Sequence, residues 1–363
     1  MKFEIEFRPV GEKSKAGDAI VVKYESEPGY YRLMIIDGGT VESGQEVIAH
    51  IRRYFPNVPI SHALLTHSDT DHACGFREII RELDVRSIWM HRPWEVARYL
   101  LPYYADKRLT VEGIQKKLRA EFDVIADIEA IANERSIKIE GPFSPKSVGP
   151  FRVLSPSIER YALLVSQFDK GPEPDQNALE KDGIWVGSSR KPSNRAVKWT
   201  SETWEKENLR DGEVTSAMNE SSVVLYGDFG NSQRVLLTGD AGHWALYYAI
   251  STAKSLALPM GDFSMVQVPH HGSRSNVGPS VLNKLIGPVL PKGTPSKYSA
   301  YVSAPKDDET HPRQIVLNAF IRRGGRMFAT QGIPKCYTSG YQFKNGYEPA
   351  VPLSLESQVE EYD

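Results

Sequence analysis

Cysteine is almost missing from this chain of 363 residues. Cys74 and Cys336 are too few for a disulfide framework and fit a reducing compartment, so a cytoplasmic protein is expected. Long apolar runs are missing too. No uninterrupted stretch approaches the roughly 20 residues of a membrane span, which argues against a membrane protein. The opening Met1-Lys2-Phe3-Glu4-Ile5-Glu6-Phe7 alternates like a strand and has no apolar core of signal-peptide length. A charge excess is absent as well. Lys and Arg number 44 against 46 Asp and Glu, which excludes a broadly basic nucleic-acid surface but leaves room for a local basic groove. No internal repeat is present. The length and a hydrophobic content of 40% suit one large globular domain or two small ones.

What is present is a dense set of metal-binding side chains. Thr66-His67-Ser68-Asp69-Thr70-Asp71-His72 follows the apolar run Ala63-Leu64-Leu65, so four strong ligands stand at the end of a buried strand. Imidazole and carboxylate suit divalent ions such as zinc or manganese. Alternate residues of an extended turn can point at one ion, and the adjacent Asp71-His72 pair can reach a second; two-metal sites are mostly hydrolytic. The competing reading is a polar turn that caps a helix starting near Ala73. Two further strand ends weigh against it. Val235-Leu236-Leu237-Thr238-Gly239-Asp240 ends in a carboxylate, and Met265-Val266-Gln267-Val268-Pro269-His270-His271-Gly272-Ser273 ends in paired imidazoles. Asp37-Gly38-Gly39, after Arg32 to Ile36, is a fourth strand end. Sites collect where strands finish and loops begin.

The first half reads as strands over 2–9, 19–25 and 32–37, then a helix from Glu42 to Tyr54, a strand at Ala63–Leu65, a helix from Gly75 to Leu83 and a strand from Val85 to Met90. Such alternation predicts helices covering sheets. Residues 93–135 read as a helical insertion, Trp94 to Tyr104 and Val111 to Glu134, with Thr110 as N-cap. It could lid a metal cleft or form a homodimer surface, and its aromatics Trp94, Tyr99, Tyr103 and Tyr104 could stack on bases or simply pack. Residues 156–215 form a loop-rich insertion. Within it Gly183 to Thr200 lacks acidic residues but holds Arg190, Lys191, Arg195 and Lys198 beside Trp185 and Trp199, a candidate phosphate-gripping loop. The stretch 336–363 reads as a polar C-terminal tail behind a main domain of 1–335.

His-x-Asp-x-Asp-His, a later Leu-Thr-Gly-Asp and Pro-His-His-Gly-Ser, preceded by Ile-Asp-Gly-Gly, together resemble the metallo-β-lactamase superfamily. Within it the set is most similar to the soluble hydrolase domain of ComEC-type DNA-uptake proteins. Asn219-Glu220-Ser221-Ser222-Val223-Val224-Leu225 resembles that subgroup's Asn-x-x-Ser-x-Val-Leu strand, and His311-Pro312 its C-terminal His-Pro element. The resemblance runs from about Gly17 to Gly325, is specific for the fold and is much less so for the substrate. Those transporters carry a membrane channel and this chain does not, so a stand-alone hydrolase is expected.

The resemblance implies an α/β fold, the αββα sandwich. It implies two divalent ions, Mn²⁺ or Zn²⁺: the first held by His67 and Asp69, the second by Asp71, His72 and His270, with Asp240 bridging. The third imidazole of well-known dinuclear members has no counterpart, since only His91 lies between His72 and Asp240; Asn219 sits where the subgroup has its substitute. An oxygen-rich first site leans toward manganese. Asp71 would also orient a metal-bridging hydroxide. His271 or His311 would protonate the leaving oxygen or hold a non-bridging one. Ser273, Arg274, Arg190 and Lys191 would contact a phosphate, and Asp37 would orient a ligand histidine. The expected activity is a phosphodiesterase or nuclease acting on nucleic acid or a nucleotide phosphodiester. A thioester, lactone or other carboxyl-ester hydrolase is the alternative, and a non-catalytic metal-binding partner protein the third reading.

Overall fold

The computed structural model of the chain describes residues 1–182, 198–342 and 347–362. Six early strands, β1 (Phe3–Phe7), β2 (Ile20–Glu27), β3 (Tyr30–Ile36), β4 (Ile60–Leu64), β5 (Ser87–Trp89) and β6 (Lys138–Glu140), lie side by side in chain order. A second sheet takes β7 (Ser147–Val148), β8 (Phe151–Ser155), β10 (Val224–Asp228), β11 (Arg234–Leu237), β12 (Met265–Gln267), β13 (Tyr298–Val302) and β14 (Gly325–Ala329). Between them in sequence, β9 (Trp199–Ser201) pairs outside both sheets with the last strand, β16 (Gln358–Glu360). β15 (Lys335–Ser339) returns to the first sheet and pairs with β1.

The alternation of β1 explains the layering. Phe3, Ile5 and Phe7 face the second sheet, and their cluster includes Met34, Ile36 and Leu64 of the first sheet and Val153, Leu225, Val235, Leu237, Met265 and Tyr301 of the second. Phe7 and Tyr301 stack across the gap with centroids 5.1 Å apart. The other face of the first sheet carries α1 (Val41–Tyr54) and α2 (Thr70–Glu82) in a separate apolar cluster. The far face of the second carries α9 (His243–Ser255), α10 (Pro279–Leu285) and α11 (Gln314–Arg322). The result is the four-layer αββα arrangement expected above. Strands β3 to β6 run parallel, as do β11 to β14. Their C-terminal ends bring Asp37, His67, Asp240 and His270 to one edge of the sandwich.

Four local readings change. The helix expected from Gly75 begins at Thr70, which puts Asp71 and His72 in its first turn. The 93–135 insertion fills the β5-to-β6 crossover with α3 (Ala97–Leu100), α4 (Val111–Glu121) and α5 (Asp123–Glu134). Thr110 caps α4 by accepting the Gly113 N–H. The expected single helix breaks at Phe122, whose ring is buried near Phe168. Ile114, Leu118, Ile125 and Ile128 are fully buried in the layer under α2, and Trp94 and Tyr104 are buried with them, while Tyr99 is exposed. The 156–215 stretch is not all loop: α6 (Ile158–Val165) is capped by Ser157 and α7 (Gln176–Lys181) by Asp175, and α8 (Ala217–Glu220), capped by Ser216, follows it directly. The boundary drawn at 335/336 falls inside β15, and β16 is also built from the stretch read as a tail. Both are short strands whose polar alternation hides them. Among the described residues no helix is long and apolar enough to cross a membrane.

The approach of α2 to the loop after β3 is unusually close. Gly38 N–H donates to the His72 carbonyl (3.0 Å), and Gly75 N–H to the Gly39 carbonyl (2.9 Å). A Cβ on Gly75 would stand 2.0 Å from the Gly38 oxygen and 2.3 Å from that of Thr40. Gly75→Ala should therefore destabilise the fold by about 2 kcal/mol or more, read from denaturant unfolding. An unchanged midpoint would show that the two segments can separate freely.

Candidate metal centre

Asp240 sits in the turn that ends β11, nearly fully buried. Its Oδ2 lies 3.8 Å from His67 Nε2, 3.5 Å from His72 Nε2, and 3.7 Å from both His270 Nε2 and His271 Nε2. Four imidazoles thus turn the same nitrogen toward one carboxylate. The reason lies behind each ring. His72 Nδ1 donates to Asp37 Oδ2 (2.8 Å). Thr66 Oγ1 also donates to Asp37 Oδ2 (2.7 Å), so it accepts from His67 Nδ1 (3.0 Å). His271 Nδ1 donates to the Ser303 carbonyl (3.0 Å). His270 Nδ1 donates to Asn276 Oδ1 (2.8 Å), while Asn276 Nδ2 donates to the Asp240 carbonyl (2.8 Å). With Nδ1 of every ring engaged from behind, Nε2 is the nitrogen each neutral ring offers to the centre, which is how ligating imidazoles are normally prepared.

The remaining expected residues divide. Asp69 occupies the N-cap position of α2, yet its side chain makes no capping bond, so the helix-capping alternative fails. Its Oδ2 lies 3.5 Å from His67 Nε2 instead. Asp71, His72 and His271 bring ligand atoms within 4.8 Å of one another, as do His67, His72 and Asp240, and Asp240, His270 and His271. His271, read from sequence as a proton donor, therefore joins the group in which His270 was expected. The paired imidazoles sit in a tight turn with both residues at positive φ, which no periodicity reveals. Asn219 does not face this cluster. Its Nδ2 donates to Thr215 Oγ1 (2.7 Å) and lies 3.2 Å from His270 Nδ1, behind the ring. His91 is buried between Phe143 and Tyr161 (centroids 4.8 and 4.3 Å), and burial pushes its pKa down to about 3. His311 stands outside the groups, with Nδ1 3.3 Å from Asp308 Oδ2 and 2.9 Å from Thr310 Oγ1. Ser273 N–H closes a turn on the His270 carbonyl (2.8 Å), and Arg274 Nη1 donates to the Glu361 carbonyl (2.6 Å). Arg190 and Lys191 lie outside the described residues.

Sequence reading missed the supports. Asp18, before β2, is buried with Oδ1 unpartnered, and its Oδ2 accepts from Gln267 Nε2 (2.8 Å). Gln267 Oε1 in turn accepts the N–H groups of Thr238 and Gly239 (2.9 and 3.2 Å), fixing the Asp240 turn. Burial pushes Asp18 up to about 7. Only its place two residues ahead of an apolar strand marks it in sequence.

The donor set fits divalent cations. His67 Nε2, His72 Nε2, His271 Nε2 and Asp240 Oδ1 are buried without a hydrogen-bond partner, a costly arrangement unless something occupies the space between them. Burial drives His271 down to about 3, so its ring is neutral at ordinary pH and free to bind metal. Burial also opposes charge on His72, but Asp240 and Asp37 outweigh it and hold that imidazole well above its usual range. Burial opposes charge on Asp240 too, but the imidazoles around it outweigh burial and hold its carboxyl well below the carboxylate range. Burial raises Asp71. With four imidazoles near Asp240 the site is richer in nitrogen than the sequence suggested, which weakens the lean toward manganese.

Two outcomes follow. Asp240 and Asp37 favour the protonated form of His72, so a bound cation competes with that proton. Calorimetric titration with Zn²⁺ or Mn²⁺ in buffers of different ionisation enthalpy should show release of about one proton, with affinity falling as pH is lowered; proton-neutral binding would contradict this. Asp37→Ala frees both the His72 and His67 tautomers and should weaken cation binding by about 10–100-fold in a chelator competition.

The family model described as the metallo-β-lactamase superfamily matches residues 32–150. No curated protein matches the chain. Among solved structures it is similar to a long-form RNase Z from yeast, at 12% identity and a TM-score of 0.40 over 92% of this chain and 41% of that one. It is also similar to a metallo-β-lactamase from Hirschia baltica, at 13% identity and 0.29 over 74% and 83%. A dizinc quorum-quenching lactonase matches at 12% identity and 0.28 over 66% and 68%. The chain has the metallo-β-lactamase fold, and its residues 32–150 match the model of the metallo-β-lactamase superfamily.

Proposed function

We propose that the protein is a metal-dependent phosphodiesterase, acting on nucleic acid or a nucleotide diester. The observation that carries this reading is Asp240 Oδ2 within 3.5 to 3.8 Å of four imidazole Nε2 atoms, with every Nδ1 tied down from behind. His67, Asp69 and Asp240 would hold one cation, and Asp71, His72, His271 and Asp240 the other, with His270 beside Asp240. Bound there, divalent cations supply the Lewis acidity that polarises a phosphoryl oxygen and makes water a nucleophile near neutral pH. The chain's own residues do the rest. Asp71 accepts a hydrogen bond from the attacking water and aligns it. Asp308 accepts from His311 Nδ1, which leaves Nε2 of the protonated ring to give its proton to the leaving oxygen.

The buried packing of the 93–135 insertion weighs against the carboxyl-ester alternative. Its apolar side chains are spent in the buried cluster it shares with α2 and α6, whereas an acyl substrate needs an apolar pocket open to the metals.

Purified protein, metal-free or with added Mn²⁺ or Zn²⁺, should hydrolyse bis-p-nitrophenyl phosphate and single-stranded DNA but not a thioester. Asp71→Ala and Asp240→Ala should each lower turnover by about 10³-fold. Thioester cleavage without diester cleavage would sink the proposal. His311→Ala should cost about 10²-fold in kcat on DNA, whose leaving alkoxide needs a proton, and much less on the p-nitrophenyl ester, whose leaving group does not. Equal losses on both would remove His311 from the proton-donor role.

A further inference from the structure

Two guanidinium groups converge on one ring beside the site. Arg274 lies in the loop closed at one end by Ser273 N–H on the His270 carbonyl (2.8 Å) and at the other by Asn276 on His270 Nδ1 (2.8 Å). Its guanidinium carbon stands 4.6 Å from the centre of the Tyr362 ring. Arg210, exposed on the loop between β9 and α8, stands 4.9 Å from the same centre. Its backbone N–H donates to the Tyr362 hydroxyl (3.2 Å). Among the described residues neither guanidinium has a carboxylate partner. Two nearby acids are engaged elsewhere. Asp211 holds Ser280 at the start of α10 (3.0 and 2.6 Å), and Glu360 accepts Gln314 N–H and Ile315 N–H at the start of α11 (2.9 and 3.2 Å). Tyr362 is therefore carried by a segment anchored on β9 and on α11, just past His311.

This arrangement fixes two cations by a ring and a carbonyl instead of by carboxylates. Each keeps most of its five N–H donors for something outside the protein. Planar forks of this kind match phosphate oxygens.

We propose that Arg210 and Arg274, set by the Tyr362 ring, bind a phosphate next to the scissile diester, so that the substrate is a nucleic-acid strand with several phosphates and not a lone diester. This rests on the phosphodiesterase reading of the neighbouring metal centre. The C-terminal strand then belongs to the binding surface.

The test is direct binding of a fluorescent single-stranded DNA of roughly 12 nucleotides to the full chain in chelator, read by anisotropy over a salt series. Hydrolysis of the same strand with Mn²⁺ or Zn²⁺ runs alongside. Arg210→Ala with Arg274→Ala should raise Kd about tenfold and reduce the slope of log Kd against log salt by about one to two. Arg210→Lys with Arg274→Lys should keep the slope. Tyr362→Ala should weaken binding while Tyr362→Phe, which keeps the ring, should retain most of it. Thermal unfolding of each variant checks that the fold survives. An unchanged Kd and slope in the double alanine variant, or no saturable binding by the unaltered protein, would overturn the proposal. Arginine-dependent binding without hydrolysis would leave it standing and count instead against the phosphodiesterase reading.

Discussion

The structure depends on a buried carboxylate, Asp240, held among four imidazoles. Burying a charge is expensive unless opposite charge or metal surrounds it. The chain meets that cost by arranging His67, His72, His270 and His271 with Nε2 inward. Each ring is then locked from outside by a different part of the fold: Asp37 and Thr66 after β3 and β4, Ser303 after β13, Asn276 in the loop before α10. The two sheets are thereby tied together at the edge where their parallel strands end. Asp18 and Gln267 extend the same bracing to the turn that carries Asp240.

The rest of the architecture serves this edge. Glycine at 38 and 75 lets α2 close on the loop after β3, which brings Asp37 within reach of His72. Glu220, buried in α8, accepts the N–H groups of Trp244 and Ala245 and so starts α9 just past Asp240 (3.2 and 2.6 Å). The C-terminal strand reaches back across α11 and the His270 loop, which links a stretch far along the chain to the rim of the centre.

Much of this was legible in sequence because ligands at strand ends leave compact marks. Apolar runs ending in His67, Asp240 and His270 located the edge, and the alternation of Phe3, Ile5 and Phe7 gave a sandwich face. The early helix, strands and the Thr110 cap were readable for the same local reasons. What stayed hidden depends on contacts distant in sequence. The choice between His270 and His271 turns on a positive-φ turn and on Ser303, some 30 residues on. Asn219 resembled a ligand by pattern but faces the back of a ring. Asp18, Gln267 and Asn276 carry no motif; they act only through partners brought by the fold. β15 and β16 were read as tail since their polar residues gain meaning only beside β1 and β9.

The central claim is that the imidazoles around Asp240 are set to hold divalent cations. Its most direct test is a crystal of the protein soaked in Zn²⁺ or Mn²⁺, with anomalous diffraction recorded at the metal edge. The account predicts anomalous peaks about 2.0–2.2 Å from Asp240 and from Nε2 of His72 and His271, with each Nδ1 still bonded to its present partner. An empty cluster, with Asp240 paired directly to the imidazoles at saturating metal, would contradict it.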